Sequence, residues 1–474
     1  MKSLAVVLFV ALVCCPVLAR ADDDVSRKLY EQVKPSLVAV KYTWENELES
    51  HELTAAGTII REDGLVAIPI NIVSPLWVPD GQMKDFKIIV PSDTEDATEV
   101  DATLEGQDER SSLAFIRAKT PQKWTAVHFV DEPLEVGQRL YSVGILPKSS
   151  GYHAYVTAAT VSAKLRGPAP QVLVDGDLAG VGSPVFDDKG QGVGYVPQQG
   201  MLSALLDNPD NPQLDLRMLY NPAKTFVVAS DFLFSVSHPP TADQPIVIPW
   251  IGCPQLKGLE KELAEFMGLQ NVPAVQIGDV VVGSPAERAG LKTLDIILKM
   301  NGQPLERGDM PVELPYILSR KIQRMNVGQT VTFTVVHQKG DTPRDVTVTL
   351  EPRPKQVASA RRFYAKDLGF VVREAVFSDT YRRKMNLSTG GVVIAMLRPQ
   401  AAAQAAKLSV EDLVLQMNGK PLTDLDQFKK DYLQFRKDKP TDALVLVVSR
   451  VDGKEQTINI EPPQDAGAGG PGGQ

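Results

Sequence analysis

The chain has 474 residues, 43% of them apolar and 23% charged, with Gly and Pro spread along its length. That is a globular composition on a chain too long for one core, and about three domains are expected. The net charge is −8, or −10 once residues 1–21 with Lys2, Arg20 and no acid are set aside, which argues against nucleic acid or an anionic membrane surface as partner.

The first segment, MKSLAVVLFVALVCCPVLARA, reads as a secretory signal over residues 1–21. Lys2 gives the positive start, an apolar run follows, and Ala19-Arg20-Ala21 is an A-x-A cleavage site. The run is short, contains Pro16 and has no stop-transfer charges behind it, so no stable membrane span is expected after cleavage. Bulky Cys14 disfavours a lipid on Cys15. The expected location is outside the cytoplasm, in the periplasm or secreted. Loss of Cys14 and Cys15 leaves Cys253 alone, which excludes an internal disulfide and a cysteine metal cage. There is no metal constellation, phosphate-cradling loop or nucleotide fingerprint, and no cofactor is expected.

Residues 22–232 open with a helix at about 25–33 and continue as short apolar strands between Gly, Asp and Pro turns, among them SLVAVKYTW, FKIIV, SLAFIRA, RLYSVGI and GQGVGYV. Regular short strands predict an antiparallel barrel or sandwich. Beyond Pro249 the pattern becomes mixed α/β and repeats. GSPAERAGLKTLDIILKMNGQPL (283–305) matches QAAAQAAKLSVEDLVLQMNGKPL (400–422) without a gap, so Asn301 and Asn418 stand 117 apart, as do Gly252 and Gly369. Two anchors at one offset indicate a duplicated domain. The boundaries are 249–353 and 365–462 for the two copies, with linkers at 233–248 and 354–364 and a disordered Gly-rich tail at 463–474.

These segments resemble an HtrA-type (DegP-like) protein: a trypsin-like double β-barrel followed by two α/β PDZ domains, mainly β overall. GTIIREDGLVAIPINIV resembles the family hairpin that ends in a catalytic histidine, RSSLAFIRA the strand that begins with its aspartate, and AGVGSPVFDDKGQGVGY the nucleophile loop. Carried across, the histidine position is Asn71, the aspartate position Ser112 and the serine position Val181. An amide cannot accept the proton, a hydroxyl orients a base poorly, and valine has no lone pair to attack with. Ser183 is the one rescue nucleophile, and it reads better as the second small residue of the turn. None of His51, His128, His153, His238 and His337 stands at the hairpin position, and nothing in the spacing of Lys84 or Lys87 supports a Ser–Lys pair. The backbone at Ala179–Val181 is a candidate pair of N–H donors.

In PDZ domains a loop x-Φ-G-Φ turns its amides toward a peptide carboxylate, and the peptide adds a strand to the sheet edge beside a helix. Trp250-Ile251-Gly252-Cys253 and Asp367-Leu368-Gly369-Phe370 fit that loop, with helices expected at Pro315–Gln323 and Asp424–Arg436, the latter capped by Thr423 and Asp426. Ile251 and Phe370 are expected to line the terminal side-chain pocket, Trp250 to shield it, and Cys253 to serve as a small hydrophobe. Arg382-Arg383-Lys384 reads as a solvated helix face. The expected function is an exported, proteolytically inactive HtrA-like protein that binds C-terminal peptides or unfolded segments, with a homo-oligomer or an active protease partner left open. An active serine endopeptidase using Ser183 and a purely structural assembly protein are the alternatives.

Overall fold

The structure is a computed structural model that describes residues 25–70, 83–92, 97–146, 148–165, 170–197, 224–307, 311–385 and 389–463. The leader, the Gly-rich tail and Asn71 lie outside the described residues.

After helix α1 (25–33), the strands β1 (Leu37–Glu45), β2 (Ser50–Arg61), β3 (Leu65–Pro69), β4 (Met83–Val90), β5 (Thr98–Asp108) and β6 (Leu113–Ala118) close a barrel in the order β1-β2-β3-β6-β5-β4. A second closed barrel, ordered β10-β11-β12-β9-β8-β7, uses β7 (Arg139–Ile145), β8 (Ala154–Leu165), β9 (Gln171–Gly176), β10 (Pro184–Phe186), β11 (Gly192–Tyr195) and β12 (Thr225–Val228). Closure leaves no barrel strand with an open edge. Every residue of β3 is buried, because apolar side chains leave it on both faces. Ile60, Leu65, Phe115, Tyr195, Val227 and Phe232 form one cluster drawn from both barrels. Leu29 and Val33, four apart on one face of α1, pack with Tyr141, Val143 and Phe186 of the second barrel. The chain is therefore mainly β with a trypsin-like double barrel, as the patterning predicts.

A short helix α2 (Leu233–Ser237) follows the barrels. Next, β13 (Pro249–Trp250) pairs with β20 (Glu351–Pro352), and between them lies a sheet ordered β14-β15-β16-β18-β19. Its strands are β14 (Gln255–Gly258), β15 (Val275–Asp279), β16 (Ile296–Met300), β18 (Thr330–Val336) and β19 (Arg344–Thr349), with β17 (Gln303–Pro304) beside β16. Helices α3 (Lys261–Met267), α4 (Pro285–Ala289) and α5 (Leu314–Gln323) cover this module. In β19 buried Val346 and Val348 alternate with exposed neighbours, the signature of a strand with one face on the core.

The second α/β module has the sheet order β21-β22-β23-β24-β26-β27. It is built from β21 (Arg362–Ala365), β22 (Phe370–Glu374), β23 (Val392–Leu397), β24 (Leu413–Met417), β26 (Leu444–Ser449) and β27 (Glu455–Ile460), with β25 (Lys420–Pro421) beside β24. Its helices are α6 (Phe377–Arg382), α7 (Ala402–Ala405) and α8 (Leu425–Asp438). The duplication extends to single hydrogen bonds. Ala286 N–H donates to Ile251 O as Ala403 N–H does to Leu368 O, and Val281 N–H to Gly252 O as Arg398 N–H does to Gly369 O. Asn301 and Asn418, at φ 52° and 49°, make the same left-handed turn.

Two compact units result: one holds the barrels and the first α/β module, the other the second module together with residues 43–52. Three expectations need correction. α5 begins at Leu314, one residue before Pro315. α8 is capped by Asp424, whose carboxylate accepts from Gln427 N–H at 2.9 Å, rather than by Thr423 with Asp426. Arg383 is buried, not solvated: it donates to Asp379 O at 2.8 Å and to the carbonyls of Ser449 and Glu411.

Candidate functional site

The segments that resemble a catalytic centre do converge. Ile70 N–H donates to Ser112 O at 2.9 Å, so the end of the β2–β3 hairpin lies beside the β5–β6 turn. Thr58 Oγ1 donates to Gly182 O at 3.3 Å, which sets the turn at 180–183 against the same hairpin. Gly182 has φ +87°, and a Cβ there would stand 2.7 Å from Ala56 O, so only glycine fits this approach. The space enclosed by Thr58, Pro69, Leu113, Gly182, Tyr195 and Phe232 is about 10 Å³, room for one water.

Among the described residues, the side chains at this junction do not form a proton relay. Val181 occupies the turn half-buried. Ser183 is 2% exposed, and its hydroxyl has no hydrogen-bond partner among the described residues. It faces the wall of the second barrel, where a Cβ on Gly144 would lie 2.8 Å from Ser183 Oγ. No histidine reaches it. His51 pairs with Glu49 at 3.2 Å, His238 stacks on Phe234, His337 bonds Asp295 at 2.9 Å, and His128 and His153 are exposed. Lys84 and Lys87 are committed to Glu45 and Glu99.

Ser112 sits at φ 56° in a turn held by a carboxylate the sequence reading overlooked. Asp108 is fully buried and accepts from Arg110 N–H at 2.9 Å, Arg110 Nε–H at 3.0 Å and Ser235 Oγ–H at 2.5 Å. Its oxygens are spent on the turn and on α2. Around the nucleophile position Gly180 N–H donates to Tyr155 Oη at 2.8 Å, Ser183 N–H to Gly180 O at 3.0 Å and Gly182 N–H to Val196 O at 2.8 Å. The turn is thus fixed by the amides of Gly180, Gly182 and Ser183.

The two x-Φ-G-Φ loops differ in what lies beside them. In both, glycine is required by close approach: a Cβ would come within 2.2 Å of Ser284 Cβ at Gly252 and within 2.3 Å of Ala401 Cβ at Gly369. Ile251, Cys253, Leu368 and Phe370 are all buried, and Trp250 is half-buried. Ile251 and Cys253 pack with Leu318 and Ile322 of α5. Phe370 stands edge-on to Phe428 and Tyr432 of α8, with centroids 6.4 and 6.1 Å away.

In the first module β14 is, among the described residues, the terminal strand of its sheet, paired only with β15, and α5 packs against it. A strand edge beside a helix below a glycine loop is the geometry that accepts an extended peptide. In the second module that edge is taken. β21 runs antiparallel along β22 from Arg362↔Arg373 to Ala365↔Phe370. Phe363 enters between strand and helix, its ring 6.2 Å from Phe428 and 5.8 Å from Tyr432. The loop also carries its own carboxylate: Asp367 accepts from Tyr432 Oη–H at 2.5 Å and Arg436 Nε–H at 2.7 Å. Burial raises the Asp367 carboxyl, but these two donors outweigh it and leave the group below its ordinary range. A fixed negative charge there opposes a peptide carboxylate, and Trp250, its counterpart in the first loop, carries none.

Residues 56–194 match the trypsin-like peptidase domain, the class that the paired barrels define. Curated relatives extend the likeness to most of the chain. A protein of Rhizobium meliloti (strain 1021) named probable periplasmic serine endoprotease DegP-like is 27% identical over 83% of this chain and 72% of its own length. Its namesake in Marinomonas sp. (strain MWYL1) is 28% identical over 79% of this chain and 73% of its own. Among solved structures, a variant of the HtrA-type protease AlgW with a decapeptide shares the fold at TM-score 0.52 and 15% identity, covering 70% of this chain and 98% of that one. Over most of its length the chain is thus similar to proteins named DegP-like serine endoproteases, and it shares the fold of an HtrA-type protease. Its relatives share the exported location that the leader predicts, and no helix among the described residues is long and apolar enough to cross a membrane.

Proposed function

We propose that this chain is a non-proteolytic member of the family that binds extended segments ending in a free carboxylate, with residues 249–353 acting as its peptide-binding PDZ domain. The observation that carries this reading is the turn at 180–183. Its backbone is tied down as a nucleophile turn requires, yet it presents Val181, and the nearby hydroxyl of Ser183 is buried against Gly144 with no base in reach. Loss of the nucleophile or the base alone lowers turnover about 10⁶-fold in a well-studied serine protease. The relatives' names describe proteases, and this reading of the chain rests on Asn71, Ser112 and Val181 as the counterparts of the family triad.

Recognition is supported by the open β14 edge beside α5 under the Gly252 loop. The self-paired β22 supports a structural use for the second module. Unfolded or C-terminal segments would be held without being cut, a chaperone-like or adaptor role in envelope protein quality control.

The test has two arms. The full chain is incubated with a fluorophosphonate probe and with an unfolded casein substrate, beside Ser183→Ala. No labelling and no cleavage above that variant are expected, whereas labelling that Ser183→Ala abolishes would refute inactivity. Fluorescent peptides with free and amidated C-termini are then titrated, and binding that ignores amidation would refute carboxylate recognition.

A further inference from the structure

The open edge of β14 leads at its far end into a pocket that the loop reading does not account for. The pocket has a volume of about 590 Å³ and is lined mainly by Leu259, Ala264, Leu269, Val272, Pro273 and Leu314. Leu259 directly follows β14 and Leu314 begins α5, so the two walls of the groove continue into it. Lys261, Glu265 and Arg307 also reach it, and Arg307 is tied to Asn271 O.

The second module holds the corresponding helix to its edge strand differently. α3 and α6 correspond at an offset of 116: their N-caps are Glu260 and Val376, and Leu269 N–H donates to Ala264 O as Met385 N–H does to Thr380 O. At that offset Lys257, Leu263 and Met267 stand where the second module has Arg373, Asp379 and Arg383. There Arg373 grips Asp379 at 2.7 and 2.9 Å, both buried, and Arg383 donates to Asp379 O. The second copy therefore ties its helix to its edge strand with a buried ion pair, and the first cannot, since Leu263 and Met267 carry no charge; the pocket is lined by their neighbours Leu259, Ala264 and Leu269.

β21 supplies the direction in which a strand lies on this edge. Ala365 is at the loop end and Arg362 at the far end, opposite Arg373, the counterpart of Lys257. A segment seated the same way on β14 has its C-terminus at the Gly252 loop and runs back toward Leu259. At about 3.3 Å per residue, a terminal residue opposite Cys253 puts the residue about five positions earlier at the pocket mouth.

We infer that the first module reads a second feature of its ligand: a bulky apolar side chain about five residues before the free carboxylate, received by the Leu259–Leu269–Val272 pocket. The inference rests on the carboxylate reading above and deepens it. A volume of 590 Å³ with apolar walls suits an aromatic or large aliphatic side chain, whose transfer from water is the driving term.

The test uses the full chain and two fluorescent ten-residue peptides with a free C-terminal Leu-Val, one with Trp five places before the end and one with Ser there. The Trp peptide is expected to bind at least tenfold more tightly. Val272→Asp at the exposed rim and Ala264→Trp inside the pocket should each abolish that difference, with the Ser peptide unchanged within twofold. Equal affinity of the two peptides for the unmodified protein, or a preference that survives both variants, overturns the pocket while leaving carboxylate recognition intact. Binding of neither peptide, or equal binding of their amidated forms, overturns the carboxylate reading and the pocket with it.

Discussion

Arg320 on α5 and Arg324 at its C-cap both ion-pair with the carboxylate of Asp231, which is 8% exposed beside Phe232 at the junction of the barrels. Arg324 also donates to Asp231 O at 2.8 Å, and Arg320 to Arg110 O at 2.9 Å. The helix that walls the first groove is therefore anchored on the barrels through one acid. Burial pulls the Arg320 guanidinium down and Asp231 pulls it back up.

Asp231→Ala removes the one acid that these two arginines share among the described residues and strands Arg320, whose side chain is 14% exposed. Breaking a buried pair from one side costs about 3–5 kcal/mol. A lower urea midpoint and faster amide exchange along α5 are expected. Adding Arg320→Leu to Asp231→Ala should recover part of the loss, and an unchanged midpoint in the single variant would contradict the anchoring.

Ser183→Ala should not destabilise the fold. The wild-type hydroxyl is buried without a partner, so replacing it with a methyl hydrogen lets the site lose an unsatisfied polar group. An unfolding free energy unchanged or raised by up to about 1 kcal/mol is expected. A loss above that size would mean that Ser183 is hydrogen-bonded in solution.

Phe363→Ala should loosen β21. It removes the ring lodged against Phe428 and Tyr432, at about 2 kcal/mol for a half-buried aromatic. Calorimetric titration of the wild type with a free-carboxylate peptide should give one site per chain, rising toward two only when Asp367→Asn is added to Phe363→Ala, because the Asp367 charge also opposes the ligand. Two sites in the wild type would show that β21 does not block β22.

Cys253 is the one cysteine beyond the leader, and it is buried, with its thiol pushed up to about 12 by desolvation first and then by Asp279 and Asp295. An unfolded thiol ionises near 8.5. The folded form keeps its proton through the window from about 8.5 to about 12, so stability declines across that range as pH rises. Folded protein lacking residues 1–21 should resist a thiol reagent at pH 8 and react with one equivalent in denaturant. Cys253→Ala should flatten the alkaline decline.

Asp379 is fully buried; burial opposes its charge, but the Arg373 fork and the Val376 amide hold its carboxyl below the ordinary range. A depressed carboxyl contributes stability above about pH 3.9 that is lost as pH falls toward its folded value. Asp379→Asn should lower stability at pH 7 and make the acid decline shallower in a urea series. A parallel acid decline in both proteins would rule the pair out as its source.

The barrel strands, the duplication and the glycine loops are legible in the chain because each is a local pattern. Short apolar runs between turn residues predict strands, and a fixed offset of 117 marks a repeated core. Arg382-Arg383-Lys384 looks solvated by the same logic and is not, because Arg383 meets Ser449 and Glu411 only once the sheet is formed. Asp108 is overlooked because its partners Arg110 and Ser235 lie on separate turns, 2 and 127 residues away.

The residue types alone determined that Val181 can supply no nucleophile, since no arrangement in space gives an isopropyl group a lone pair. They could not determine which of two similar loops has room for a ligand. Tertiary pairing decided that: β21 lies on β22 while the edge of β14 stays open, and hydrogen bonds between strands join residues that carry no mark of their partners in the chain.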